Sequence, residues 1–402
     1  MTDATAVSRG GWFSLISSAA TAVIVGFAST ILVIMEAARA VGATPSQQAS
    51  WAAALCIGMA VTSFFLSWRY KMPIITAWST PGAALIATSA AGVTYAHALG
   101  AFVVAGLLMV VAGLIKPLEK AIEKIPAPVA AAMLAGVLLR YTLGVPAAAI
   151  AMPVMVLPLV VIFFSLRMIY PLFAVPVIVV LGVAMAAFSG SFAGSCCSIG
   201  LTAFEWTTPM FDFTTIVSIG VPLFLVTMAS QNLPGFAVLR AAGYPPPVQP
   251  ALLVTGAAST LLAPFGSHAI NLAAITASIV TGPECHPDKD KRWLMAWPYL
   301  VLYGIIGLAA ASFVAVLGSL PKELISAIAG LALFSPLMGG ITAMMKDPRD
   351  IESALLTFLV TASGISLFGV GSAFWGLVAG LVLFGARHVK EMARGQDRKS
   401  VV

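Results

Sequence analysis

The strongest constraint on this chain is a succession of apolar runs, most of them close to 20 residues long, that begins at Trp12 and recurs with only short polar breaks. About 20 consecutive apolar residues are what a helix needs to cross the hydrocarbon core of a bilayer. In lipid, backbone N–H and C=O groups must be paired within the protein, so helices are expected throughout. Only 9% of the residues are charged and 60% are hydrophobic, whereas soluble domains carry about 25% charged residues. No stretch has the length and polarity of a soluble domain, and the chain reads as an all-α membrane protein. The run from Trp12 to Met35 exceeds the about 7 to 15 residues of a cleavable signal core, so it is expected to be the first span.

Apolar runs and breakers place fourteen transmembrane segments near 12–36, 48–68, 74–92, 96–115, 126–141, 147–166, 170–189, 213–231, 248–262, 264–282, 294–317, 321–343, 351–368 and 371–388. With the sides alternating from a cytoplasmic N-terminus, 18 of the 21 Lys and Arg residues fall inside, and only Arg39, Arg140 and Lys322 fall outside. This positive-inside bias predicts an even span count with both termini cytoplasmic. It also accounts for the net charge of +6 without any nucleic-acid partner. The stretch 116–128 has apolar residues at helical spacing among its charges and reads as a short interfacial helix. The four cysteines, Cys56, Cys196, Cys197 and Cys285, have no metal-ligand spacing, so no metal and no disulfide framework are expected.

Residues 264–274, PFGSHAINLAA, place Pro, Gly, Ser, His and Asn inside an apolar run. The outer loop after segment seven is a plausible midpoint, and from it a repeat would align Trp12 with Phe213, 201 residues on. Segment three, WSTPGAALIATSA from Trp78, would then align with segment ten, FGSHAINLAAITA from Phe265; both carry Leu at the eighth place (Leu85, Leu272) and Ala at the tenth (Ala87, Ala274). Seven segments per half invert the second copy. The expected fold is therefore a 7+7 inverted repeat, with halves 1–200 and 201–402, in which segments 3 and 10 are broken. Pro73, Pro81, Pro264 and Gly266 prevent regular helix, so each segment should enter as a short extended stretch and become a half-helix, near Pro81 and near Ala269. Two half-helix N-termini facing one another at membrane depth suit an anion.

Three stretches, TAWSTPGAALIA (76–87), SQNLPGFAVLRAAGYPPPVQP (230–250) and APFGSHAINLAAITASIVTGPECHPDKDKRW (263–293), resemble the benzoate/proton symporter family. The resemblance spans essentially the whole chain and extends by fold to nucleobase transporters and to sulfate and bicarbonate exchangers. It implies a core domain (12–115 and 213–317), a gate domain (126–189 and 321–388) and a homodimer that moves core past gate. It also implies import of benzoate or a similar aromatic carboxylate with a proton, across the bacterial inner membrane. The nucleobase branch carries acidic residues in segments eight and ten; here Gln231 and Asn271 stand at the comparable places. A buried carboxylate there would repel a bound anion at low dielectric. A nucleobase or inorganic-anion transporter, or an anion channel, are the alternatives.

The expected substrate contacts are Trp78, Ser79, Thr80, Pro81, Gly82, Gln231, Asn232, Phe265, Gly266, Ser267, His268 and Asn271. Ser79, Thr80 and Ser267 double as N-caps, and Asn271 falls in the first turn of the second half-helix. Gln231 and Asn232 either bond a carboxylate or satisfy carbonyls freed at the Pro234 break. Trp78 and Phe265 either flank the substrate ring or simply pack. His268 titrates near neutral pH when unperturbed; it either serves the substrate or the proton, or is a neutral histidine held by a backbone carbonyl. Glu36, three residues before Arg39, is the other proton-coupling candidate, although an exposed turn pair is the simpler reading. Arg140 either attracts anions or anchors the interface. No P-loop, metal-binding helix or nucleophile-and-base pair is present, so neither an enzyme nor a cofactor is expected.

Overall fold

A computed structural model describes residues 4–90, 92–115, 126–191, 200–273 and 275–400. The expected interfacial helix at 116–128 lies almost wholly outside the described residues, as do Cys196 and Cys197. Among the described residues, six helices are long and apolar enough to cross a membrane, or up to eight if each of two bent pairs is one span, and four shorter apolar helices accompany them.

The chain opens with α1 (Ala4–Ala40) and α2 (Pro45–Tyr70), followed by β1 (Thr76–Trp78), α3 (Thr80–Ser89) and α4 (Tyr95–Leu114). Next come α5 (Ala127–Thr142), α6 (Gly144–Ala151), α7 (Pro153–Ile169) and α8 (Ala174–Phe188). The second half begins with α9 (Phe213–Ala241), α10 (Val248–Leu262), β2 (Ile270–Leu272), α11 (Ile275–Thr281), α12 (Ala296–Leu308) and α13 (Ala310–Gly318). It ends with α14 (Lys322–Ala332), α15 (Phe334–Met344), α16 (Ile351–Ser363) and α17 (Ser372–Ser400).

Three expected boundaries move, each for a local reason. The break placed between 141 and 147 falls at Met152 instead, because α5 and α6 continue as one span, Ala127–Ala151, and the new helix starts on Pro153. Pro is tolerated there because a first-turn N–H has no intrahelical partner to lose. The helix expected to close at Gln231 runs on to Ala241. It contains two π-helical turns, Ile216–Gly220 and Met228–Asn232, which directly precede the stretches carrying Pro222 and Pro234. The wider turn accommodates each proline without ending the helix. The second half-helix begins at Ile275 rather than near Ala269, because a 3-10 turn at Ala263–Phe265 and the strand β2 take up the intervening residues.

The strands β1 and β2 form the one sheet found among the described residues, an antiparallel pair with Thr76 opposite Leu272, Ala77 opposite Asn271 and Trp78 opposite Ile270. Extended backbone inside a membrane protein exposes N–H and C=O groups along both outer edges, and each must find a partner. Side chains from neighbouring helices supply them. Ser63 Oγ accepts from Thr76 N (2.8 Å), Ser67 Oγ accepts from Ile74 N (3.0 Å) and donates to its carbonyl (2.8 Å), and Tyr299 donates to Thr76 O (2.8 Å). On the β2 edge Ser259 Oγ accepts from Ile270 N (2.8 Å) and Asn232 Oδ1 accepts from Leu272 N (2.9 Å). These hydroxyls and amides belong to helices that are otherwise apolar, which is why they are buried there at all.

Charged loops gather at two ends. At one, the Lys71 ammonium lies 3.8 Å from the centre of the Trp293 ring, Lys289 lies 4.5 Å from that of Tyr244, and Arg292 donates to the carbonyls of Thr281 and His286. At the other, Arg39 pairs with Glu36 at 3.3 Å, the i,i+3 pair expected, and Arg140 donates to Thr88 O.

Candidate substrate site

Between α1, the strand pair and α9 lies a cavity of about 90 Å3. Its wall is made by Val25, Gly26, Ser29 and Thr30 of α1, Met59 of α2, Ala77 and Trp78 of β1, and Thr80 at the start of α3. Gln231 of α9, Ala273, Ile275 and Thr276 at the start of α11, and Tyr303 of α12 complete it. The antiparallel pairing sets the geometry: it holds the two strands side by side, so the helices that follow them both open on one space. The first residues of α3 and α11 therefore carry their dipole ends to the cavity.

The wall is mostly apolar, with two aromatic rings and no charged side chain among the described residues. Trp78 is fixed in it by a 2.7 Å hydrogen bond from its indole Nε1 to Thr30 Oγ1, and Thr30 in turn donates to Gly26 O at 2.9 Å. Ser29 donates to Val25 O. The side chains of Thr80, Gln231 and Thr276 have no hydrogen-bond partner among the described residues. Gly26 lets α1 approach Tyr303 closely, since a Cβ there would sit 2.8 Å from the Tyr303 hydroxyl.

Of the twelve residues expected to contact substrate, the cavity wall takes Trp78, Thr80 and Gln231. Ser79 does cap α3, accepting from Gly82 N at 3.1 Å, and Pro81 sits in its first turn. Ser79 also accepts from Thr227 Oγ1 at 3.0 Å. Asn232 is fully buried and serves the β2 edge, with its amide nitrogen against the sulfurs of Met109 and Met228. Asn271 lies in the strand, not in a helical turn; in the amide orientation that satisfies both ends, its oxygen accepts from Ser79 N at 3.0 Å and its nitrogen donates to Leu272 O at 2.9 Å. Phe265 faces away from the cavity and packs on Phe204 and Trp206, with ring centres 5.8 and 5.4 Å away. Gly266 has φ +103° and lies so close to Trp51 that a Cβ would come within 2.6 Å of it. Ser267 does not cap a helix, and its buried hydroxyl has no partner among the described residues.

His268 stands behind the strand pair, fully buried, and is absent from the cavity wall. The Trp51 indole Nε1 donates to its Nδ1 at 3.1 Å, and its Nε2 lies 2.9 Å from Ser79 O. An indole nitrogen only donates and a carbonyl oxygen only accepts. The ring is therefore the neutral Nε2–H tautomer, tying α2 to the turn between β1 and α3. Glu36 lies six residues beyond Thr30 on α1 with its side chain 31% exposed, and its partner Arg39 lines a second, open cavity of about 700 Å3 with Thr88, Thr94 and Tyr95.

The wall residues that sequence reasoning overlooked are mainly Gly26, Ser29, Thr30, Thr276 and Tyr303. For Gly26, Ser29 and Thr30 the signal is present: small and hydroxyl residues three and four places apart on a helix whose neighbouring residues are apolar.

A multi-pass, all-helical protein in which two half-helices and a short strand pair enclose a mid-molecule cavity has the architecture of a membrane transporter. The fold matches solved transporters: the transmembrane domain of the cyanobacterial bicarbonate transporter BicA (TM-score 0.61, 15% identity, 92% of this chain and 97% of that one). It likewise matches SLC26A9 (TM-score 0.62, 11% identity, 94% and 66%). The chain belongs to the benzoate membrane transport protein family, BenE, whose family model matches residues 12–385. It is 39% identical to the inner membrane protein YdcO of Escherichia coli over 90% of this chain and 93% of that protein. It is 32% identical to the benzoate membrane transport protein of Acinetobacter baylyi over 90% and 92%. This is a family of transporters, not of enzymes.

Proposed function

We propose that this protein imports benzoate or a closely similar aromatic carboxylate together with one proton across the bacterial inner membrane. The observation that carries the reading is the composition of the cavity: aromatic and apolar walls for a ring, and two helix N-termini in place of a cation for a single negative charge. Backbone N–H groups at helix ends bind anions without the desolvation cost of a buried lysine or arginine. In this reading the ring lies against Trp78 and Tyr303, and the carboxylate takes donors from Thr80, Gln231 and Thr276. Ser79, Pro81, Gly82, Asn232, Asn271 and His268 hold the strands and the α3 end in place around it. A cavity of ~150 Å3 is known to admit benzene, so the smaller cavity must widen on binding, as a change of state would allow.

The succession of elements supports a 7+7 inverted repeat of fourteen segments. Two long helices, a strand with a half-helix, and a fourth helix open each half. In this reading α1–α4 and α9–α13 form the core, α5–α8 and α14–α17 the gate, both termini are cytoplasmic, and the protein works as a dimer. For the proton, the bonded state of His268 favours Glu36 as carrier, since protonating His268 Nδ1 would aim a second N–H at the Trp51 indole. A monoanion entering with one proton is electroneutral, so the pH gradient alone drives accumulation. Proteoliposomes loaded at high internal pH should accumulate labelled benzoate and be inhibited by hydroxylated benzoates but not by uracil. Equal uptake with and without an inward proton gradient would overturn symport; competition by uracil would overturn the substrate class.

A further inference from the structure

Arg140 occupies an unusual place for a cation. It lies in the last turn of α5, and its Nη1 donates to the carbonyl of Thr88 in the last turn of α3 at 3.4 Å. Its guanidinium also packs flat on Gly364, which caps the C-terminus of α16 at φ +68°; a Cβ there would fall 2.5 Å from Arg140 Cζ. Two helix C-termini, those of α3 and α16, thus converge on one guanidinium carried by the span α5–α6, and no carboxylate pairs with it among the described residues. Helix C-termini carry partial negative charge and unpaired carbonyls, so a cation is stabilised there. α3 is a single ten-residue helix: one end faces the cavity through Thr80, and the other is held by Arg140.

We infer that Arg140 is a positioning residue for transport: it clamps the half-helix α3 to α5 and α16 in the state seen here, and its release accompanies the movement of α3 that carries substrate. The inference rests on the core and gate division proposed above. A displacement of α3 by the length of one hydrogen bond breaks the contact, because Thr88 belongs to the core and both Arg140 and Gly364 to the gate. Two substitutions separate this role from simple stability. Arg140→Gln removes the charge. Gly364→Ala keeps the charge and pushes the guanidinium off its seat. Gly190→Ala is the control, since Gly190 has the same φ of +68° but nothing within 4 Å of an added Cβ.

The reporter is Ser89→Cys, at the end of α3, where a Cβ on Gly371 would lie 3.4 Å from the serine Oγ. It is placed in a full-length background with the four native cysteines replaced, in nanodiscs that leave both faces open, and labelled with a water-soluble maleimide. Losing a hydrogen bond to a charged group should speed labelling about tenfold in Arg140→Gln and several-fold in Gly364→Ala, with Gly190→Ala at the parent rate. Parent-like labelling in Arg140→Gln, or acceleration in Gly190→Ala as large as in Gly364→Ala, would overturn the clamp. Labelling requires neither benzoate nor a proton gradient, so its outcome stands apart from that of the uptake assay.

Discussion

Replacement of His268 separates a structural histidine from a proton carrier. In His268→Leu, the Trp51 indole N–H and one acceptor site on Ser79 O lose their partner in a fully buried setting. Ser79 O still accepts from Ala83 N at 2.8 Å, so the indole N–H is the group left unpaired, and the variant should lose about 1 to 3 kcal/mol. That is a sizeable share of a typical margin of about 5 to 15 kcal/mol, and the protein should melt earlier than the parent. Gln is different, because its amide oxygen can accept from Trp51 while its nitrogen donates to Ser79 O. His268→Gln should therefore melt close to the parent, by intrinsic fluorescence of the detergent-purified protein. It should still accumulate benzoate in proteoliposomes under a proton gradient. Glu36→Gln should do the opposite, equilibrating benzoate across the vesicle but no longer concentrating it. A folded His268→Gln protein that binds benzoate yet loses gradient-driven accumulation would refute this reasoning and return the proton to His268.

Three further outcomes test the site and its frame. Gly26→Val fills the cavity against Tyr303 and should abolish uptake; because a Cβ there comes 2.8 Å from the buried Tyr303 hydroxyl, it should also lower the melting temperature. Gln231→Leu removes a donor that no protein group uses; it should raise the KM for benzoate about tenfold, as for a lost hydrogen bond to a charged ligand, and leave stability alone. Ser259→Ala removes the hydroxyl that accepts from Ile270 N at 2.8 Å and shares its one proton between Thr255 O (2.7 Å) and Ile270 O (3.2 Å), and should destabilise the protein by about 1 to 3 kcal/mol in denaturant melts before any change in substrate preference.

Apolar run length, the Lys and Arg distribution, and the Pro and Gly interruptions make the helical membrane class and the two broken segments legible in the sequence. The exact helix start after β2 is not, and the reason is physical. What keeps Ile270–Leu272 extended is a set of partners on other elements: Ser259 is 11 residues away from Ile270, and Asn232 is 40 from Leu272. Across the pair, Tyr299 reaches Thr76 over 223 residues. No local pattern announces them. The same fact explains why Asn232 and Asn271 read as substrate ligands. A polar side chain in an apolar run shows only that something needs a partner there, and an unpaired strand edge needs one as much as a carboxylate does.

Polar residues in these segments therefore divide by subtraction. Ser63, Ser67, Ser79, Asn232, Ser259, His268, Asn271 and Tyr299 have polar atoms taken up by the strands and the α3 end. Thr80, Gln231 and Thr276 are left over and face the cavity, whereas Ser267, also without a partner among the described residues, is absent from the wall. A second group of donors close by but already engaged is what keeps the free ones in place, since a strand pair with an unsatisfied edge would shift to pair it. Substitutions in the engaged set should therefore lower stability first and transport second, while those in the free set should alter transport alone.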